Sequence, residues 1–202
     1  MTDLFHDKAA DWDARPVPQQ ISQGVVPAIL ARVAPAPDAT VMDFGAGTGL
    51  LAAGLAPHVG HLHAVDISES MLAQLAAKEA LRGKVTVHRH DLLQAPLDVR
   101  VDLVVSAMAM HHVADTAALV RAFAAQLRPG GRVALADLDA EDGSFHPPNT
   151  DGVFHAGFDR AALAGLLTAA GFVDVAFDTA VVVQKEGRSY PVFLATARLA
   201  AA

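Results

Sequence analysis

Carboxylates and imidazoles recur in this sequence at one kind of place, just after a short run of Val, Leu and Ala. Asp43, Asp66, His90-Asp91, Ser106 to His112 and Asp137 to Glu141 all stand there. If those runs are parallel strands, their carboxyl ends share one edge of a sheet, and that edge is where open α/β sheets take ligands. The first run leads into Gly45-Ala46-Gly47-Thr48-Gly49, a turn dense enough in glycine to bring backbone N–H groups and a helix N-terminus beside a ligand. Both dinucleotide folds and other adenosine binders use such turns. Asp66 narrows the choice. It ends the next strand, where a carboxylate can accept both hydroxyls of an adenosine ribose, and Ser68 is free to cap the helix that follows.

The histidines divide by the same rule. His61 and His63 invite pooling with His88 and His90 into a metal site, but His61 starts its strand and His90 ends the neighbouring one. A rise of about 3.3 Å per residue sets those two at opposite edges, so no metal is expected. His111 and His112 follow a strand end, and His146 and His155 lie in a loop above the same edge. Any of these four could deprotonate a substrate, because imidazole titrates near neutrality. The competing reading is that the His pair caps or packs its turn. Asp137, Asp139 and Glu141 could touch a substrate or stand as solvated loop carboxylates.

The elements that must position these groups alternate regularly. Strands are expected at 39–44, 61–66, 84–90, 101–106, 131–137, 172–180 and 191–198, and helices near 49–58, 69–81, 115–128 and 159–170. Asp115 and Asp159 are candidate N-caps, Pro129-Gly130-Gly131 stops one helix, and Gly171 suits the position after another. Two helices within residues 1–36 should form an N-terminal cap, the first carrying Phe5 and Trp12. The last two strands have only Gln184 to Pro191 between them, which predicts an antiparallel return. Asp139 to Phe158 lacks periodicity and is expected to be a substrate-side loop.

Composition bounds the function. The 202 residues suit one domain, and 22 acidic against 15 basic residues give a net charge of −7, which favours neither nucleic acid nor an anionic membrane. Cysteine is absent, so thiol nucleophiles and thiolate metal sites are excluded. No apolar run suits a membrane span, and a cytoplasmic chain, monomeric or a weak homodimer, is expected.

Taken in order, Asp43-Phe-Gly45-Ala-Gly47-Thr-Gly49, Val65-Asp66-Ile-Ser68, His90-Asp91-Leu92, Ser106-Ala-Met-Ala-Met-His111-His112 and Leu127-Arg-Pro-Gly-Gly131 resemble the motifs of the class I S-adenosylmethionine-dependent methyltransferases, in particular the small-molecule type. The resemblance covers roughly residues 39–198. It implies a Rossmann-like α/β fold with seven strands in the order 3-2-1-4-5-7-6, strand 7 antiparallel and helices on both faces. It also implies S-adenosyl-L-methionine as cofactor and S-adenosyl-L-homocysteine as product. By the same carry-over, Gly45, Ala46, Gly47 and Gly49 would let the backbone approach the methionine part and Asp43 would order its ammonium group. Asp66 would hold the ribose, Ile67 would flank the adenine, and Asp91 with Leu92 would address its edge. Ser106 would line the methionyl end, and Trp12 in the cap would exclude water.

The expected reaction is in-line transfer of a methyl group to a small molecule, for which the protein mainly aligns donor and acceptor. Ser106-Ala-Met-Ala lacks the Asn/Asp-Pro-Pro-aromatic pattern expected for exocyclic amines of nucleobases. A nicotinamide-dependent oxidoreductase is disfavoured, because Gly-x-Gly-x-x-Gly fails at Leu50 or Ala52. A catalytically silent adenosine-binding regulatory domain is the remaining alternative.

Overall fold

Short Val-, Leu- and Ala-rich segments alternate with amphipathic ones, and the computed structural model turns that alternation into a sheet covered on both faces. Residues 3–201 are described; Met1, Thr2 and Ala202, at the ends of the expected cap and domain, lie outside the described residues. The strands are β1 (Thr40–Phe44), β2 (His61–Asp66), β3 (Val85–Arg89), β4 (Val101–Ala107), β5 (Leu127–Leu138), β6 (Phe172–Lys185) and β7 (Arg188–Leu199). The helices are α1 (Pro16–Val33), α2 (Leu50–Leu55), α3 (Glu69–Ala76), α4 (Thr116–Gln126) and α5 (Arg160–Ala169). Short 3₁₀ segments add to these, among them His6–Ala14 and Met110–His112. The sheet order is β3-β2-β1-β4-β5-β7-β6, and β7 runs antiparallel to both neighbours.

Strand side chains alternate between two cores, as a sheet buried on both faces demands. Val41, Leu103 and Val105 join Ile29, Leu55 and Leu75 in one core, whereas Met42, Val104 and Val133 join Leu119, Phe123 and Leu167 in the other. Helix starts are fixed by side chains that accept from the first-turn N–H groups: Ser68 Oγ from Met71, Asp115 from Ala118 and Asp159 from Ala162. Gly171, at φ 91°, takes the left-handed position after α5.

Several boundaries differ from expectation. α3 ends at Ala76, short of the expected 81, and α2 spans only Leu50–Leu55 of the expected 49–58. The Pro129-Gly130-Gly131 stop acts late: α4 already ends at Gln126, and the chain turns into β5 through an irregular stretch between Leu127 and Arg132. The final hairpin is longer than the sequence suggests, because only Glu186 and Gly187, both at positive φ, form its turn. Polar residues from Gln184 to Ser189 mask strand character there. That extension carries the hairpin tip beyond the sheet towards loop 139–158.

Candidate active site

Asp43 ends β1 fully buried, and its Oδ2 has no hydrogen-bond partner, the only such buried side-chain atom among the described residues. Burial, followed by the charge of Asp66 and against one bond from the Ala52 N–H, raises its pKa to about 8. A proton or another cation must answer that oxygen. Asp66, at the end of β2, is placed differently. Its Oδ2 accepts from the Gly47 N–H at 2.8 Å and its Oδ1 from the Ser68 N–H at 2.9 Å. Burial raises its pKa, with these backbone bonds and one from Ile67 opposing. A carboxylate has about four acceptor sites, and three backbone N–H bonds leave capacity for a ligand hydroxyl.

The glycine turn works by its shape rather than its donors. Gly45 and Ala46 give their N–H groups to Val65 O, Gly47 gives its own to Asp66, and Gly49 gives its own to Ala46 O. Four of the turn's five N–H groups, all but that of Thr48, are therefore already spent inside the protein, and α2 is a short helix. Gly45, at φ 68°, is required for another reason: a Cβ there would lie 2.2 Å from Ala109 Cβ, so it lets the turn at the end of β4 press against the end of β1. On the other side, a Cβ at Gly47 would meet nothing nearer than 4.0 Å, which leaves room for a ligand.

The N-terminal segment is pinned across this edge at both ends, a feature the sequence reading missed. Asp3 accepts from the Ser68 and Ser70 hydroxyls and from the Ser70 and Phe5 N–H groups. Burial opposes its charge, but these bonds prevail and hold its carboxyl at about 2. Asp13 accepts from the Thr48 hydroxyl in the glycine turn and pairs with Lys78 at 2.6 Å. Two serine hydroxyls at the start of α3 were the available signal for an acidic partner. Trp12, half-buried, stands edge-on to Phe5 at 5.9 Å under the Arg15 guanidinium. Phe5 in turn meets the His112 ring edge-on at 5.4 Å.

Past β4 the histidines assemble. His111 Nδ1 lies 2.7 Å from Asp137 Oδ1, and both side chains are buried. The His111 N–H also donates to Asp137 Oδ2, and the Leu138 N–H to Oδ1. Asp137 is thus the end of β5 holding the turn after β4. His146 reaches the far side of the imidazole, Nε2 to Nε2 at 3.1 Å. His112 donates from Nδ1 to Gly152 O at 2.6 Å. Burial, then the neighbouring His111, lowers both His112 and His146 to about 4.

Loop 139–158 delivers His146 on a tied neck. Ala140 N–H donates to Phe158 O and Phe158 N–H to Leu138 O. Arg160 grips Asp139 through two bonds of 2.7 Å. The hairpin tip then fixes the loop's middle: Lys185 donates to Phe145 O, Tyr190 bonds Ser144, and Arg188 reaches Asp142. Asp137, Asp139 and Glu141 are accordingly occupied by the protein itself, Glu141 by the Ser144 and Phe145 N–H groups.

Several expected site residues are placed otherwise. Ser106 is fully buried and its hydroxyl donates to Phe44 O, so it ties β4 to β1 instead of presenting a hydroxyl to a ligand. Leu92 packs its side chain into the second core, which leaves only its backbone for an adenine edge. Asp91 remains partly exposed but accepts from Leu93 N–H and the Gln94 amide. Ile67 is 53% exposed beside Asp66, as an adenine-flanking side chain would be. His155 leaves the cluster, donating from Nε2 to Val113 O at 2.9 Å. On the far part of the sheet His63 Nδ1 and His88 Nε2 approach to 3.0 Å, closer than the opposite-edge argument from His61 and His90 anticipated. Even so, no group of three or more His, Asp or Glu residues among those described is arranged to hold a metal.

A methyltransferase-domain family matches residues 41–131, from the start of the glycine-turn strand to the start of β5. Residues 41–131 are thus a methyltransferase domain, and the chain as a whole resembles the class I S-adenosylmethionine-dependent methyltransferases. It is 32% identical over 158 residues to an O-methyltransferase of Pyrenophora dematioidea, an alignment covering 71% of this chain and 58% of that one. The chain thus spans less than two thirds of that curated relative's length. Solved structures share the fold. A candidate methyltransferase of Haloferax volcanii, solved in complex with the Trm112 methyltransferase activator, superposes with a TM-score of 0.80 at 19% identity, covering 99% of both chains. DhpI in complex with S-adenosylhomocysteine superposes with a TM-score of 0.74 at 24% identity, over 98% of this chain and 95% of the other.

The residues present fit the cofactor that this methyltransferase family uses. Asp43 offers an unanswered buried oxygen to its ammonium group, the open side of the turn at Gly47 leaves space, and Asp66 has acceptor capacity left for a ribose hydroxyl. Bound there, the cofactor would supply an activated methyl group on sulfonium.

Proposed function

We propose that this protein transfers a methyl group from S-adenosylmethionine to a small molecule admitted between the N-terminal segment and loop 139–158. The unpartnered Asp43 oxygen, next to a satisfied Asp66, carries the cofactor half of this reading. The acceptor half rests on Phe5, His112 and His146 meeting above the turn that touches Gly45. This space lies under segments tied down at Asp3, Asp13 and the loop neck, which favours a small acceptor over a polymer. The net charge of −7 gives no pull on a polyanion.

The protein's part is alignment and exclusion of water. Asp43 and Asp66 fix the donor, the glycine turn sets its depth, and Phe5 with Trp12 covers it. Thermal denaturation tests the cofactor: S-adenosylhomocysteine is expected to raise the melting temperature, and NAD(H) is not. The opposite ranking would overturn the reading. A mass-spectrometric screen for methylated small thiols, amines, phenols and carboxylates tests the acceptor.

A further inference from the structure

His111 and His112 are adjacent in sequence but electrically unlike. His112 is held by a backbone carbonyl, whereas His111 is the middle of a three-member chain. The direction of that chain follows from its partners. Asp137 accepts two backbone N–H bonds as well as His111 Nδ1, so it acts as an acceptor and the imidazole proton belongs on Nδ1. His111 Nε2 is then a bare lone pair, and the contact of 3.1 Å requires His146 to donate from its own Nε2. What remains is His146 Nδ1, a lone pair with no hydrogen-bond partner among the described residues, on a half-buried ring 5.9 Å from that of His112.

We propose that Asp137, His111 and His146 form a proton relay in which His146 Nδ1 removes a hydroxyl proton from the methyl acceptor, so the acceptor is a phenol or similarly weakly acidic O–H compound. This rests on the methyl-transfer reading above. The acceptor's O–H bond breaks, its proton going to His146 Nδ1, and the oxygen lone pair forms the new bond to the methyl carbon. The carbon–sulfur bond breaks with its electrons staying on sulfur, leaving a neutral thioether. His146 passes its Nε2 proton to His111 Nε2, and the resulting imidazolium lies against the buried Asp137 carboxylate until the proton returns to water. The positive charge lost from sulfur equals that gained by the relay. Burying that charge is tolerable only beside Asp137, because the other charges near these rings are the cations Lys185 and Lys8. A carboxylic acid or a thiol ionised at neutral pH needs no such relay.

The test compares para-methoxyphenol with para-nitrophenol at about pH 8, where only the second is largely ionised, using the full chain and S-adenosylmethionine. Substituting His146→Ala is expected to slow methylation of para-methoxyphenol about 10²- to 10⁴-fold. The loss on para-nitrophenol should stay under about tenfold, and added imidazole should restore part of the first rate. S-adenosylhomocysteine affinity, measured by calorimetry, should be retained. Equal losses on both phenols, or no loss, overturn the relay. A wild-type protein that binds S-adenosylhomocysteine but methylates neither phenol overturns it too. Failure to bind S-adenosylhomocysteine would instead overturn the methyl-transfer reading itself. Ring-nitrogen NMR of the wild-type protein adds a readout without turnover: the proton is expected on Nδ1 of His111 and Nε2 of His146, and the reverse assignment overturns the relay.

Discussion

Asp43 and Asp66 end neighbouring parallel strands, face the same glycine turn and are both raised in pKa by burial, yet they are prepared for different partners. Asp66 is held by backbone N–H groups from both sides, so its geometry exists before any ligand arrives. Asp43 has an oxygen that nothing in the chain answers. On the proposed reading, the first would be a preformed receptor for neutral hydroxyl groups, and the second a site where a ligand cation exchanges with a proton. Two acids in one cleft would then divide the work of holding a charged nucleoside by how much of their bonding the fold has already completed.

The largest expected effect comes from removing the preformed receptor. Asp66→Ala should weaken S-adenosylhomocysteine binding by about 1 to 3 kcal/mol, since it deletes charge-assisted bonds and frees the Gly47 N–H from its anchor. Calorimetry showing wild-type affinity would erase the distinction. At Asp43 the decisive quantity is a proton count. With its pKa at about 8, the free protein carries this proton at pH 7, and binding the ligand's ammonium group should release about one proton per molecule bound. Calorimetry in buffers of different ionisation enthalpy reads this release, which Asp43→Asn should abolish; a release unchanged in the variant would assign the proton elsewhere.

A smaller effect is expected one layer out. Thr48→Val breaks the bond by which Asp13 holds the N-terminal segment to the glycine turn, and should cost about 0.5 to 1.5 kcal/mol in ligand affinity. Unchanged affinity would detach that segment from the site. The smallest effect lies in the stability of the ligand-free protein. Burial sets His63, His112 and His146 at about 4, below the unfolded value near 6.5. The unfolded chain then binds more protons than the folded one at acid pH, so their contribution is complete above about 6.5 and fades as pH falls towards 4. The raised Asp43 opposes this from its unfolded value near 3.9 up to about 8, so melting temperatures should fall as pH drops from about 6.5 towards 4, where three histidines outweigh it, and fall again as pH climbs from about 6.5 towards 8. A flat profile would contradict both.

The sequence makes one half of this site far more legible than the other. Strand ends, the glycine turn, Asp66 and the helix caps at Ser68, Asp115 and Asp159 are local features, each set by residues within a few positions. The acceptor half is built from contacts that span the chain. His111 to Asp137 bridges 26 positions, His146 to His111 35, and Asp3 to Ser70 67. No periodicity encodes such pairings. Ser106 and Leu92 mislead for the opposite reason: a motif position does not say which way its side chain turns, and packing turned both inward. The hidden end of the hairpin is a third kind of miss, because polar residues on strands that leave the sheet do not look like strands.

The tied neck of loop 139–158 has a consequence for descent. Asp139 and Phe158 are bridged, a Cβ at Gly157 would lie 2.1 Å from the backbone carbonyl oxygen of Asp139, and Arg160 clasps the side-chain carboxylate of that residue. The ends of the loop are therefore brought together without help from its middle, and the entropy of closing it depends only weakly on its length. The residues between can be replaced, lengthened or shortened as an interchangeable insert while β5 and α5 keep their places. Acceptor choice can thus diverge among relatives at little risk to the sheet that holds the cofactor.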